Sequence, residues 1–257
     1  MTLTLTLRAE PPARVLAAPL TPQRLRGLNA SAVAALSLRC GGETVAVGDL
    51  FEVSGAGTEE DELVLAGDLR WFDGIGARMS SGGIVVRGDV GSWAGSEMSG
   101  GVLRIFGDAG ARLGASYPGT RVGMTGGEIV VTGAVGEEAG AGMRRGLIAI
   151  GGRTGNGAGL RMLAGTVISL GGIGGEAGLG NKRGSLASGR ALEPLPSYAY
   201  ATRFCPPALR LQLLRARELG LTVPDAMLSG SWSRWSGDRT ELARGEILIF
   251  DEEEEGE

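Results

Sequence analysis

The side chains best placed to do chemistry in this chain are cationic. Arg144 and Lys182 stand at one phase of a 19-residue repeat, Arg145 and Arg183 at the next, and Arg161 falls on the repeat between them. Between Arg144 and Arg190 there are seven basic residues against one acid, Glu176. Stacked repeats would set each matched pair about 10 Å apart, two strand spacings. Guanidinium groups in such a line suit a carboxylate-bearing ligand, through forked hydrogen bonds and long-range attraction. The same residues also suit salt bridges to partner proteins or a solvated edge. No other chemistry finds a constellation. The sequence has no histidine, which removes the commonest general base and metal ligand, and no catalytic residue or metal site is expected. Cys40 and Cys205 are too few and too far apart for a cluster or zinc ribbon, and lone thiols fit a reducing cytoplasm. The glycine runs Gly155–Gly159 and Gly171–Gly178 imitate a phosphate loop, but such a loop needs a following helix, and another strand pattern follows each. Trp232 and Trp235 have the rings to stack on a ligand, though a hydrophobic cap or a contact with a partner explains them more simply.

What would position these residues is the repeat. Met79, Met98, Met124, Met143 and Met162 are 19, 26, 19 and 19 residues apart, and Asn181 continues the series. One strand precedes each of the glycines Gly67, Gly88, Gly107, Gly133, Gly152 and Gly171. A period near 19 with one strand per repeat predicts stacked layers. Two and four residues before these glycines stand Leu65, Val86, Ile105, Val131, Ile150, Ser169 and Leu63, Ile84, Leu103, Ile129, Ile148, Val167. Alternate residues on a strand share a face, so these columns point into the core. The methionines form a further inward column, and Gly76, Gly95, Gly140, Gly159 and Gly178 permit positive φ at the bends. The 26-residue interval is 19 plus a seven-residue excursion near Ala115–Arg121, marked by Pro118-Gly119. The outward column is Val64, Val85, Arg104, Val130, Ala149 and Ile168. It is too apolar for a wet face and requires cover from the chain's own flanks or from another protein of an assembly.

With 47 glycines and 5% aromatic residues among 257, the core must be thin and layered. The expected fold is all-β: a right-handed parallel β-helix of six to seven coils over 61–189, with an N-terminal cap over 1–60 and a C-terminal cap over 190–257. Thr21-Pro22 predicts a helix start, 31–38 a second helix, and 43–53 a hairpin. Residues 208–219 predict an amphipathic helix ended by Gly220, and 246–250 a last strand. The final residues, Asp251 to Glu257, carry six carboxylates and read as a solvated tail. The N-terminus has no basic leader, and no apolar run reaches a membrane span. The expectation is a cytoplasmic protein with no membrane or nucleic-acid partner.

Several phrases carry a family resemblance. Gly88-Asp-Val-Gly91 and Gly107-Asp-Ala-Gly110, each followed by Ala-Gly and Met-x-x-Gly, resemble the C subunit of formylmethanofuran dehydrogenases. The repeat is also similar to the C-terminal domain of glutamate synthase. The flanks resemble the C subunit: Leu20-Thr-Pro and Val47-Gly-Asp-Leu-Phe-Glu-Val-Ser-Gly55 before the repeats, Ser236-Gly-Asp238 and Arg244-Gly-Glu-Ile-Leu-Ile249 after them. The resemblance implies a parallel β-helix acting as a non-catalytic structural subunit. Its partners would be an amidohydrolase-like A, a molybdopterin-enzyme-like B and a formyltransferase D subunit. One version of this assembly is the bacterial formyltransferase/hydrolase complex, which converts formyl-tetrahydromethanopterin, through a formylated methanofuran-type carrier (methylofuran), to formate. The other is an archaeal tungsten or molybdenum formylmethanofuran dehydrogenase. One lysine among 25 basic residues and the missing histidines favour the bacterial version. Carriers of this type have glutamate-bearing tails, which makes Arg144, Arg145, Arg161, Lys182 and Arg183 candidate tail contacts.

Overall fold

The computed structural model describes residues 2–56 and 62–251. The acidic run 252–257 and the expected boundary between 60 and 61 lie outside the described residues. The N-terminal segment supplies β1 (Leu3–Leu7), β2 (Val15–Leu16), α1 (Pro22–Leu25), α2 (Ala30–Ala34), β3 (Ser37–Cys40), β4 (Glu43–Ala46), α3 (Val47–Leu50) and β5 (Phe51–Ser54). The repeats supply β6 (Glu62–Ala66), β7 (Phe72–Asp73), β8 (Gly83–Arg87), β9 (Val102–Ile105), β10 (Glu128–Val131), β11 (Leu147–Ile150), β12 (Thr166–Ser169) and β13 (Ser185–Ser188). The C-terminal segment adds β14 (Ala199–Phe204), α4 (Pro207–Glu218), α5 (Asp225–Ser229), β15 (Trp232–Gly237) and β16 (Gly245–Phe250).

The strands of the repeats pair in parallel and in register. Leu63 lies beside Ile84, Ile84 beside Leu103, Leu103 beside Ile129, and the column continues through Ile148, Val167 and Leu186. A second parallel ladder of single bridges joins Leu69, Val90, Ala109, Val135 and Thr154. Both ladders bury one continuous inner core, which includes all five repeat methionines at 0% exposure. Asn181 takes the sixth place in the methionine column. Its side-chain amide donates to the Gly184 carbonyl and accepts from the Gly184 N–H, so a polar group there is fully paired.

The expected all-β parallel β-helix is not the architecture found. The finding that overturns it is the topology: one mixed twelve-stranded sheet, ordered β14-β15-β16-β13-β12-β11-β10-β9-β8-β6-β1-β5, with a separate four-stranded sheet, β4-β3-β2-β7, and five helices among the described residues. The physical reason lies at the sheet's ends. A terminal repeat strand exposes unpaired N–H and C=O groups, and the flanking segments satisfy them by joining the sheet. At one end β1 adds in parallel to β6, and β5 adds antiparallel to β1. At the other β16 adds in parallel to β13, and β15 and β14 add antiparallel beyond it.

Local expectations in the N-terminal segment also change. Thr21 occupies the position before α1 but caps nothing, and its hydroxyl is buried without a partner. The second helix is shorter than 31–38 because Asn29 starts it by accepting from the Ala32 N–H at 2.9 Å, and β3 already begins at Ser37. The expected hairpin over 43–53 does not form. The helical turn α3, with Asp49 accepting from the Ala46 N–H, separates β4 from β5 and sends them to different sheets.

The later half of the outward column is covered by the chain itself, while Val64, Val85 and Arg104 lie outside that cover. Val130, Ala149, Ile168 and Ala187 are buried with Leu209, Leu213 and Ala216 of α4, and with Leu221, Met227, Trp232 and Leu248, in a second core. Helix α4 begins after Pro206, as its proline start requires, and the chain leaves it through Gly220 at φ +103°. Trp232 is therefore a core residue of this outer layer, 1% exposed. Between layers the backbones approach too closely for side chains. At Gly88, φ +145°, a Cβ would run into the Gly67 carbonyl oxygen.

Candidate functional site

The seven-residue excursion is the longest irregularity in the repeat among the described residues, and it builds one wall of a sizeable cleft. Leu113-Gly114 keep the repeat's register: Gly114 donates to the Ala94 carbonyl, and Met124 returns to the column by donating to the Gly114 carbonyl. The loop between them is fixed by Glu97. That carboxylate accepts from the Thr120 hydroxyl at 2.5 Å, from the Tyr117 N–H at 3.3 Å and from Arg78 Nε at 2.8 Å. Partial burial works against its charge, but the bonds from Thr120 and Arg78 prevail and hold it below the usual glutamate range. Rings add to the anchor. Tyr117 stacks on Trp93 with centroids 6.4 Å apart, Arg78 lies over Tyr117 at 5.6 Å, and Arg112 lies over Trp93 at 5.8 Å. Burial pushes the Tyr117 phenol above its ordinary value, so it stays neutral.

The loop is one wall of a cleft of about 820 Å³. Thr240 and Glu241, between β15 and β16, lie at its far side, and Gly142, Leu160, Leu179 and Gly180 line it between the two. Its charged lining is Arg112, Arg121, Arg161, Lys182, Glu138 and Glu241. Arg112 pairs with Glu138 at 3.1 Å and Lys182 with Glu241 at 3.2 Å.

The five basic residues singled out from the sequence are thus divided. Arg161 and Lys182 line the cleft, while Arg144, Arg145 and Arg183 are exposed beyond its lining. Register explains part of the division: Arg145 and Arg183 sit one residue further toward the next strand than Arg144 and Lys182. Arg144 shares the phase of Lys182, and what separates those two is the ion pair of Lys182 with Glu241 in the cleft lining. Arg112 and Arg121 join the cleft although the sequence pattern does not single them out. The lengthened interval and Pro118-Gly119 mark their loop, but nothing in the pattern tells which way its side chains lie. Neither glycine run leads into a helix; β12 and β13 follow them. Among the described residues no three His, Cys, Asp or Glu side chains converge as a metal site, and no helix is long and apolar enough to cross a membrane.

No family model matches the chain. The C subunit of the formyltransferase/hydrolase complex Fhc of Methylorubrum extorquens is 39% identical to it over 88 residues, 34% of this chain and 32% of that protein. The C subunit of tungsten-containing formylmethanofuran dehydrogenase 2 of Methanothermobacter wolfeii is 34% identical over 95 residues, 36% of this chain and 35% of that one. The match thus spans about a third of the length of these curated relatives. A chain in the crystal structure of the formyltransferase/hydrolase complex FhcABCD from Methylorubrum extorquens, in complex with methylofuran, is similar over its whole length. It has a TM-score of 0.80 and 30% identity, with 97% of this chain and 100% of that chain covered.

Proposed function

Since the chain belongs to the family of C subunits of formyltransferase/hydrolase and formylmethanofuran dehydrogenase complexes, we propose that it is a non-catalytic structural subunit of a formyltransferase/hydrolase complex. The observation that carries this reading is the likeness to a chain of FhcABCD along the full length of both. In this role it works in the cytoplasm, in one-carbon metabolism, beside an amidohydrolase-like A, a molybdopterin-enzyme-like B and a formyltransferase D subunit. The complex takes formyl from formyl-tetrahydromethanopterin to a methanofuran-type carrier and releases formate, with the chemistry on the other subunits.

The molecule suits a scaffold. Its layers are locked by two parallel ladders and two cores, so surface groups keep fixed spacings. Arg144, Arg145, Arg161, Lys182 and Arg183 then serve as contacts for the carrier's anionic tail, holding it loosely while its formyl end moves between active sites. The similarity to the C subunit of a tungsten dehydrogenase supports a second reading, the same structural role in a formylmethanofuran dehydrogenase.

The purified chain assayed alone is expected to show neither formyl transfer nor formyl-carrier hydrolysis above background. Turnover that persists after every partner protein has been removed would contradict the non-catalytic role.

A further inference from the structure

Beside α4 the outer layer leaves a groove of about 640 Å³ that runs over the starts of β9, β10 and β11. The helix is one wall and presents Leu211, Gln212 and Arg215 to it. The two polar members are tied down. Gln212 donates to the Thr166 hydroxyl at 2.8 Å, and Arg215 forks onto both carboxylate oxygens of Glu128 while also pairing with Glu218. Leu211 is 67% exposed, more than any other large apolar side chain among the described residues. Below it lie Val102 and Leu147, with glycines before the strands at Gly101, Gly127 and Gly146. A lone exposed leucine is ordinary. One that overhangs an apolar groove from a fixed wall extends a single surface, as docking sites do.

Two features select the occupant. The carbonyls of Gly101, Gly127 and Gly146 already accept from the N–H groups of Glu128, Leu147 and Thr166 in the next layer. The floor therefore offers no row of free carbonyls to an extended segment. An α-helix satisfies its own backbone and sits low over the glycines, with its apolar stripe against Leu211 and Leu147. The second feature is charge. Val102 and Leu147 reach under α4, so the residues just before the glycines form the far bank. In successive layers these are Gly100, Gly126, Arg145, Ala164 and Arg183. This bank holds no acid, and Arg145 and Arg183 are exposed on it. The groove's own charges, Arg215 and Glu128, are paired with each other. Two layers separate Arg145 from Arg183 by about 10 Å. Seven residues of helix rise about 10.5 Å, so carboxylates at i and i+7 on one helix face meet both arginines.

We infer that this groove receives an acidic amphipathic helix of a partner subunit, with apolar residues against Leu211 and carboxylates seven residues apart on Arg145 and Arg183. This rests on the assembly reading. It gives those two arginines a protein partner and leaves Arg144, Arg161 and Lys182 to the carrier.

The test is purification of the native assembly through a tag on this chain, comparing wild type with Leu211→Asp and with Arg145→Glu plus Arg183→Glu. All three side chains are exposed, so the denaturation midpoint of each variant purified alone should match wild type. Recovery of partner subunits should fall at least fivefold with either variant. Arg153→Glu, exposed beside the second ladder, should leave recovery within twofold. In an otherwise wild-type assembly, replacement of Leu211 by photoreactive p-benzoylphenylalanine should give a crosslink to another subunit. Mass spectrometry should read the linked segment as apolar at helical spacing, with Asp or Glu seven residues apart. Near-wild-type recovery with either variant, an equal loss with Arg153→Glu, or a crosslink to a second copy of this chain or to a basic segment would overturn the inference. If the wild-type chain comes down with no partner, the assembly reading fails and the inference falls with it. Wild-type assembly with unaffected variants sinks the inference alone.

Discussion

Val130→Asp is expected to unfold the chain rather than merely release a partner. Val130 is 1% exposed and packs with Ala149, Ile168 and the apolar face of α4 in the outer core. The neighbouring cation in the column, Arg104, is already paired with Glu62, so a carboxylate at position 130 would be ionised against an apolar core, among the costliest changes a core can suffer. The destabilisation should be about 4 kcal/mol or more, in the range kept for such mechanisms. Chemical denaturation of the isolated chain measures it. Wild-type stability combined with loss of assembly would mean that the column is an interface with a partner and that α4 does not cover it in solution.

Met143→Ala should cost about 2–5 kcal/mol, as other buried Met-to-Ala changes do. Met143 is fully buried, its terminal methyl would lie 2.9 Å from a Cβ placed on Gly165, and its sulfur packs near Gly140. These glycines have no side chain with which to refill the space, and the ladder on either side prevents collapse. A shift in denaturation midpoint at unchanged slope reads the cost. A loss within about 0.5 kcal/mol, as at surface sites, would place this column outside the core.

The parts of the fold legible in the sequence are those that repeat. An interval of 19 residues in three of the five steps makes the register of Leu63, Ile84, Leu103, Ile129, Ile148 and Val167 readable, because each layer must bury the same face on the one below. The methionine column follows for the same reason. The flanks do not repeat, and there pattern misleads. The run 43–53 alternates like a hairpin, yet the Asp49 turn directs its halves into two sheets. Spacing alone does not decide whether the outward column meets α4 or another protein, since helix and column lie far apart in the chain. The overall class is misread for a related reason: periodicity describes the repeats but is silent on strands such as β5, β14 and β15, which extend the same sheet antiparallel. At the candidate site, phase does not single out Arg161 and Lys182, since Arg144 shares the phase of Lys182 and lies outside the cleft; they are legible as members of the basic cluster. Arg112 and Arg121 are not, because the excursion that orients them is held by Glu97, Trp93 and Tyr117, contacts that no period encodes.

The central claim is that this chain is a structural subunit of a formyltransferase/hydrolase complex. Its most direct test is purification of the native assembly through a tag on this chain, with mass spectrometry of every co-purifying protein and assay of the eluate. The account predicts three further subunits, amidohydrolase-like, molybdopterin-enzyme-like and formyltransferase, together with formate release from formyl-tetrahydromethanopterin. Recovery of the chain alone, or with a redox-active tungsten or molybdenum dehydrogenase in place of that activity, would contradict it.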